Sequence, residues 1–137
     1  MNSALILLIV VALTAAFGFW HRATRGRITA KKATITPVIT EEELGTAYGK
    51  RVTLLQFSSA FCTPCRATKA LLTDVTADMP DVVHVDIDAE SHLDLVRRLG
   101  ISSTPTTLIL DRNGVEISRA VGAPKRNQVE AALAAIL

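Results

Sequence analysis

The segment Ala4–Trp20, ALILLIVVALTAAFGFW, is an unbroken apolar run of 17 residues. As a helix it extends about 25 Å, and close to 30 Å if Asn2 and Ser3 join it, which matches the hydrocarbon core of a bilayer. It is apolar all round, so it has no polar face to turn to water as a surface helix of a globular domain would. Trp20 stands where an interfacial anchor stands, and the basic stretch HRATRGRITAKK follows at once. Thr14, Ala15 and Ala16 are small enough for a signal-peptidase site, but a signal peptide carries positive charge ahead of its apolar region and here all of it comes after. Residues 1–21 are therefore expected to be a retained single-pass anchor in the cell membrane, followed by a basic, solvated linker at 22–33 lying near anionic lipid. The positive-inside bias puts that linker and everything after it on the cytoplasmic side.

The charge balance divides the chain in the same place. Residues 21–32 carry five Lys/Arg and no acid, whereas residues 33–137 carry ten Lys/Arg against thirteen Asp/Glu. The folded part is thus mildly acidic, which argues against nucleic acid as a partner, because phosphate binding needs basic residues gathered on the folded surface. With 137 residues in all, the chain has room for one domain, here 34–137, besides the anchor. Only five Trp and Phe side chains and one Tyr are available, so its core is expected to be aliphatic.

Local patterns give the order of elements. Ala33–Thr40, ATITPVIT, is rich in β-branched residues and is expected to be a short first strand, with Pro37 restricted to an edge or an end. Thr40 and Glu43 have capping-box spacing, so a helix is expected to start there and run toward Tyr48. VTLLQFS, Val52–Ser58, reads as a strand buried on both faces. An amphipathic helix follows to about Asp78, closed by Pro80; a strand at Val82–Asp88 presents Val83, Val85 and Ile87 on one face; and SHLDLVRRLG is a short helix with Leu93, Val96 and Leu99 inward. TLILD and VEISRAV, joined across RNG, form a hairpin, and residues 125–136 are a last helix with Val129, Leu133 and Ile136 in phase. The order is βαβαβα then ββα, an α/β fold with a mixed central sheet flanked by helices.

The chain has two cysteines, Cys62 and Cys65, in FCTPC at the junction of a central strand and a helix. Two cysteines are too few for a disulfide scaffold. A structural metal needs four ligands, and His84 and His92 have no spacing that completes a set with them. A staple closing a four-residue loop would add little stability. A working dithiol suits the position better. A helix N-terminus offers unpaired N–H groups and the positive end of its dipole, so a thiolate at Cys62 is stabilised. Pro64 fits the first turn, where its missing N–H costs nothing. Cys65, one turn on, is placed to resolve a mixed disulfide formed by Cys62.

Residues 34–137 resemble the thioredoxin family. FCTPC resembles its WCGPC motif, STPT at 103–106 resembles its cis-proline loop, and RNG with AVG resembles its C-terminal hairpin. With the anchor, the chain is similar to membrane-anchored thioredoxin-like proteins of actinobacterial type. The resemblance implies a thioredoxin fold and a cis Pro105 packed beside the dithiol; read from the residues alone, a trans proline opening an edge strand fits as well. It also implies a substrate groove formed by Phe61, Thr63, Pro64, Thr104 and Pro105, with the Thr104 backbone pairing with an extended segment. Departures stand beside it. Gln56 occupies the place of a buried Asp and cannot take a proton, which leaves water or His84 as acceptor for Cys65. Phe61 replaces a tryptophan as apolar cover, Ser58 replaces a second one, and Thr-Pro stands between the cysteines where Gly-Pro is usual. Arg66 beside Cys65 either adds positive charge that favours a thiolate or is a solvated arginine of the helix surface, the description the residues alone favour.

The sequence therefore predicts a thiol-disulfide oxidoreductase that reduces protein disulfides, takes electrons from another protein and needs no cofactor and no metal. A thiol oxidant or isomerase on the outer face, a reductant of persulfides in sulfur transfer, and a non-catalytic binding module on the same fold are the alternatives.

Overall fold

The computed structural model describes residues 2–30 and 37–136. Helix α1, Ser3–Thr24, is the apolar segment; none of its side chains is buried, and by length and composition it can cross a membrane. Then come β1 (Ile28–Ala30), α2 (Glu41–Leu44), β2 (Val52–Ser58), α3 (Thr63–Thr76), β3 (Val82–Asp88), α4 (Leu93–Leu99), β4 (Thr106–Asp111), β5 (Glu116–Val121) and α5 (Arg126–Ala134). One five-stranded sheet has the order β1-β5-β4-β2-β3. β2 runs parallel to β3, and the β2–β4, β4–β5 and β1–β5 pairs are antiparallel. This is the mixed, helix-flanked sheet of a thioredoxin fold.

β2 is central because both of its faces are buried. Its side chains alternate between two cores, as the period of a strand requires. Leu55 and Phe57 point to one, shared with Leu44 of α2 and Leu95 and Leu99 of α4. Val52 and Leu54 point to the other, shared with Leu72 and Val75 of α3 and Val129 and Leu133 of α5. The next positions in that second row are Gln56 and Ser58, so the row turns polar just where α3 begins. At the far end of the sheet, Asp111 accepts the Asn113 and Val115 N–H groups and closes the β4–β5 turn. Gly114 there is held at φ +75°, and a side chain on it would strike the Tyr48 ring.

Four expectations need correction. The strand foreseen within 33–40 lies partly outside the described residues, and its last four, 37–40, are not in a strand. Of the solvated linker expected at 22–33, residues 31–33 lie outside the described residues, and the rest is partly structured: α1 continues to Thr24, and Ile28–Ala30 pairs with Ser118–Ala120. This strand ends the sheet on β5, so the chain leaves the apolar helix and joins the domain within four residues. The capping box of Thr40 and Glu43 is formed, but α2 stops at Gly45, whose φ of +78° ends the helix after one turn. In α4, Leu95 and Leu99 face the core while Leu93 is 53 % exposed. The helix starts only after His92, so Leu93 is its first residue and Leu95 and Leu99, four apart, share the inner face.

Candidate dithiol site

The two cysteines sit at the start of α3, above the carboxyl end of β2. Cys62 is the N-cap, and its Sγ accepts the Cys65 N–H at 3.2 Å. Cys65 is buried, with 3 % of its surface accessible, whereas Cys62 is half-buried. The two are joined as a disulfide with Cα atoms 5.2 Å apart. The accessible sulfur is thus also the one at the positive end of a 14-residue helix. Thr63 and Pro64 form the exposed first turn. Phe61 does not cover the dithiol: it is 99 % exposed, and its φ of +58° is a conformation that costs a non-glycine residue roughly 1–2 kcal/mol. Arg66 lies on the exposed helix surface, where its Nη2 donates to Thr63 Oγ1.

Opposite the cysteines is the loop before β4. The Thr104–Pro105 peptide is cis, Pro105 is buried, and its carbonyl accepts the Gly122 N–H at 2.8 Å. Thr104 Oγ1 shares a 2.8 Å hydrogen bond with Ser59 Oγ and lies 4.0 Å from Cys62 Sγ. Phe61, Thr63 and Pro64 thus flank Cys62 where β2 turns into α3, and Thr104 and Pro105 lie in the loop that faces it.

Beneath the dithiol the second row of β2 meets its counterpart on β3. Gln56 is fully buried. Its Nε2 donates to Cys65 O (2.9 Å) and Ser58 Oγ (3.0 Å), and its Oε1 is 3.1 Å from His84 Nε2. An amide oxygen only accepts, so His84 carries its proton on Nε2, and Nδ1 is left to face Thr73 Oγ1 at 3.5 Å. Burial pushes the His84 pKa down, and the nearby Lys69 ammonium adds to this against the opposing pull of Asp86. His84 is therefore a neutral support for Gln56. Through Gln56 it is linked to the Cys65 carbonyl and not to the Cys65 sulfur.

A carboxylate does reach the site from the side. Asp86 Oδ1 accepts from Ser58 Oγ at 2.6 Å, and its Oδ2 is 3.2 Å from Lys69 Nζ. Together with Cys62, Cys65 and Phe61 these residues line an open recess of about 270 Å³. Asp86, Lys69 and Ser59 carry no sequence motif that marks them as part of the site. The available signal was the alternation on β3: with Val85 and Ile87 on one face, His84 and Asp86 must share the other, toward α3. Among the described residues, no three His, Cys, Asp or Glu side chains are grouped to hold a metal ion.

Comparison with known proteins agrees with this geometry. A family model described as Thioredoxin matches residues 36–135. The chain is 36 % identical over 75 residues to Thioredoxin H5 of Oryza sativa subsp. japonica, an alignment covering 55 % of this chain and 54 % of that one, so the chain spans about half the length of this relative. It is 29 % identical over 85 residues to a thioredoxin of Chlamydia trachomatis, covering 62 % of this chain and 82 % of the other. Among solved structures, the thioredoxin NaTrxh of Nicotiana alata is similar at a TM-score of 0.57 with 28 % identity, over 64 % of this chain and 74 % of that one.

Proposed function

Because the chain belongs to the thioredoxin family, we propose that it is a membrane-tethered thiol-disulfide oxidoreductase that reduces protein disulfides through Cys62 and Cys65. The observation that carries this reading is the asymmetry of the pair: Cys62 Sγ is accessible and accepts a helix N-terminal N–H, while Cys65 is buried behind it. In the reduced protein the same N–H and the helix dipole stabilise a Cys62 thiolate, the nucleophilic form.

The thiolate attacks one sulfur of a substrate disulfide. A Cys62–substrate bond forms, the substrate S–S bond breaks, and the other substrate sulfur leaves as a thiolate that takes a proton. Cys65 then gives up its proton and attacks Cys62 Sγ, forming the Cys62–Cys65 disulfide and releasing the second substrate thiolate. Two electrons have passed from the dithiol to the substrate, and a dithiol on a donor protein must return them by the same exchange. We assign the Cys65 proton to the Asp86 carboxylate, directly or through one water in the recess they share. Lys69 and Ser58 hold that carboxylate in place. Thr104 and Pro105 receive an extended substrate segment beside Cys62, with Phe61, Thr63 and Pro64 on the opposing lip.

The tether in this reading is α1. The basic residues that follow it support a dithiol on the cytoplasmic side, where exchange runs toward reduction.

Trapping tests the reading. Cys62→Ser abolishes reduction of a protein disulfide, and Cys65→Ser arrests as a mixed disulfide that appears as a mass adduct and is released by dithiothreitol. A Cys62→Ser protein that retains full cellular function would instead mark the domain as a binding module. Because Cys62 and Cys65 are the only cysteines, a membrane-impermeant maleimide added to intact, reduced cells reports topology directly. Labelling only after permeabilisation agrees with the cytoplasmic assignment, and labelling of intact cells contradicts it.

A further inference from the structure

A cavity lies against the Pro105 side of the dithiol, and the membrane helix itself forms one of its walls. Its volume is about 750 Å³; Pro64, Thr104 and Pro105 line it from the domain, and Phe19, Arg22 and Arg25 line it from the anchor. Backbone contacts hold the chain to the domain immediately after the anchor. Gly26 N donates to Val121 O at 2.7 Å. Gly26 has φ +80°, and a Cβ on it would come within 2.2 Å of the Ala123 carbonyl oxygen, so only glycine allows so close an approach. Soon after, β1 begins its pairing with β5.

The charge of this cavity is one-sided. Arg22 and Arg25 line it from the end of the anchor and Lys125 from the start of α5, and among the described residues no Asp or Glu lines the space. Among the described residues none of these three cations is ion-paired. Arginines at the end of a membrane helix ordinarily face lipid phosphate. Here they share a cavity with Pro64 and Pro105, and the third cation, Lys125, comes from the folded domain and not from the anchor.

We propose that the anchor's last turns complete the substrate groove, and that its occupant is an extended, acidic segment flanking the cysteine of a disulfide-bearing substrate protein. The inference rests on the dithiol reading above and adds to it a substrate class. Each carboxylate placed against Arg22, Arg25 or Lys125 forms a partly exposed pair, so the selectivity is moderate and salt-sensitive.

The test uses the full chain in discs of zwitterionic phosphatidylcholine, with dithiothreitol as electron source, and two peptide disulfides that differ only in having Glu or Gln beside the cysteines. The expected result is a kcat/KM higher for the Glu peptide by roughly fivefold, the size of two exposed ion pairs. That preference falls to about one in the Arg22→Gln/Arg25→Gln double variant. It persists in Arg27→Gln, because Arg27 belongs to the same basic stretch but lines a different cavity, beside Ile28 and Ile117. Equal rates for the two peptides in the unmodified protein overturn the inference while leaving the dithiol reading intact. So does a preference that survives the double variant. Equal rates combined with weakened binding of the double variant to anionic vesicles assign the arginines to lipid headgroups and likewise overturn it. Failure to reduce either peptide overturns the dithiol reading, and this inference with it.

Discussion

The two sides of Cys62–Cys65 are built from different materials. On the β3 side, Gln56, Ser58, His84 and Asp86 form a hydrogen-bonded set of side chains around a buried amide. On the Pro105 side, the dithiol meets a buried proline, a backbone loop and a cavity, with Ser59–Thr104 as the side-chain hydrogen bond between the loops. The difference follows from strand direction. The rows of β2 and β3 that face α3 run from apolar at Val52, Leu54 and Val82 to polar at Gln56, Ser58 and Asp86, so polarity accumulates at one edge, under the first turn of α3. The loop before β4 comes from the antiparallel half of the sheet and arrives with its backbone. In the proposed mechanism protons are managed on the first side and substrate on the second.

Substitutions that act on one side only can break that division. The largest effect is expected from Gln56→Leu, which leaves His84 Nε2 without its partner in the protein interior and removes the side-chain hydrogen bond to the Cys65 carbonyl. An unpaired buried donor costs about 1–3 kcal/mol and a lost hydrogen bond about 1 kcal/mol, so a fall in unfolding free energy of roughly 3 kcal/mol is expected in a denaturant titration. Asp86→Asn comes next. Loss of a general base is expected to slow resolution of the mixed disulfide on the order of a hundredfold at neutral pH, with recovery as the pH rises and solvent takes over. Stopped-flow release of the second substrate thiol reads it. A pH-independent loss would remove Asp86 from the proton path. Thr104→Val acts on the other side: breaking the bond to Ser59 is worth about 1 kcal/mol and should appear in KM for a peptide substrate, with the pH profile unchanged.

The smallest effect is a pH dependence. The His84 pKa is lowered in the folded protein, below an unfolded value of about 6.5. The unfolded chain therefore binds the proton first. The stability contributed by neutral His84 is complete above about pH 6.5 and declines as the pH falls from there toward the lower folded value. A thermal melt series from pH 8 to 5 should show this decline in the natural sequence, reduced in His84→Gln. A decline of equal size in both would assign it to other groups.

What the sequence made legible is what local pattern controls. The continuous apolar run of β2, the 3.6-residue spacing of α3 and α5, and the Asn113–Gly114 turn each name their element without reference to the rest of the chain. β1 could not be read in this way. A three-residue strand has no period of its own, and Ile28–Ala30 is a strand only because β5, some ninety residues later, offers a free edge. The length of α2 depended on one residue, Gly45 in the left-handed conformation. At the site, Cys62, Cys65 and Pro105 announce themselves by motif. Asp86 does not, because its relation to the cysteines passes through the parallel register of β2 with β3, where Gln56 is paired with Asp86. The place of the end of α1 beside Pro105 was hidden for a similar reason, since it depends on Gly26 fitting against Ala123.

Whether this dithiol is a reductant is tested most directly by a redox equilibrium titration of the full chain. The protein is equilibrated against reduced and oxidised dithiothreitol, and free Cys62 and Cys65 thiols are counted by alkylation. A potential at or below the cytosolic poise, about −220 mV or lower, is the expected result. A value near that of a strong oxidant, about −120 mV, would contradict a reductant and point to an oxidase on the outer face. A disulfide that stays closed until the domain unfolds would contradict dithiol exchange altogether.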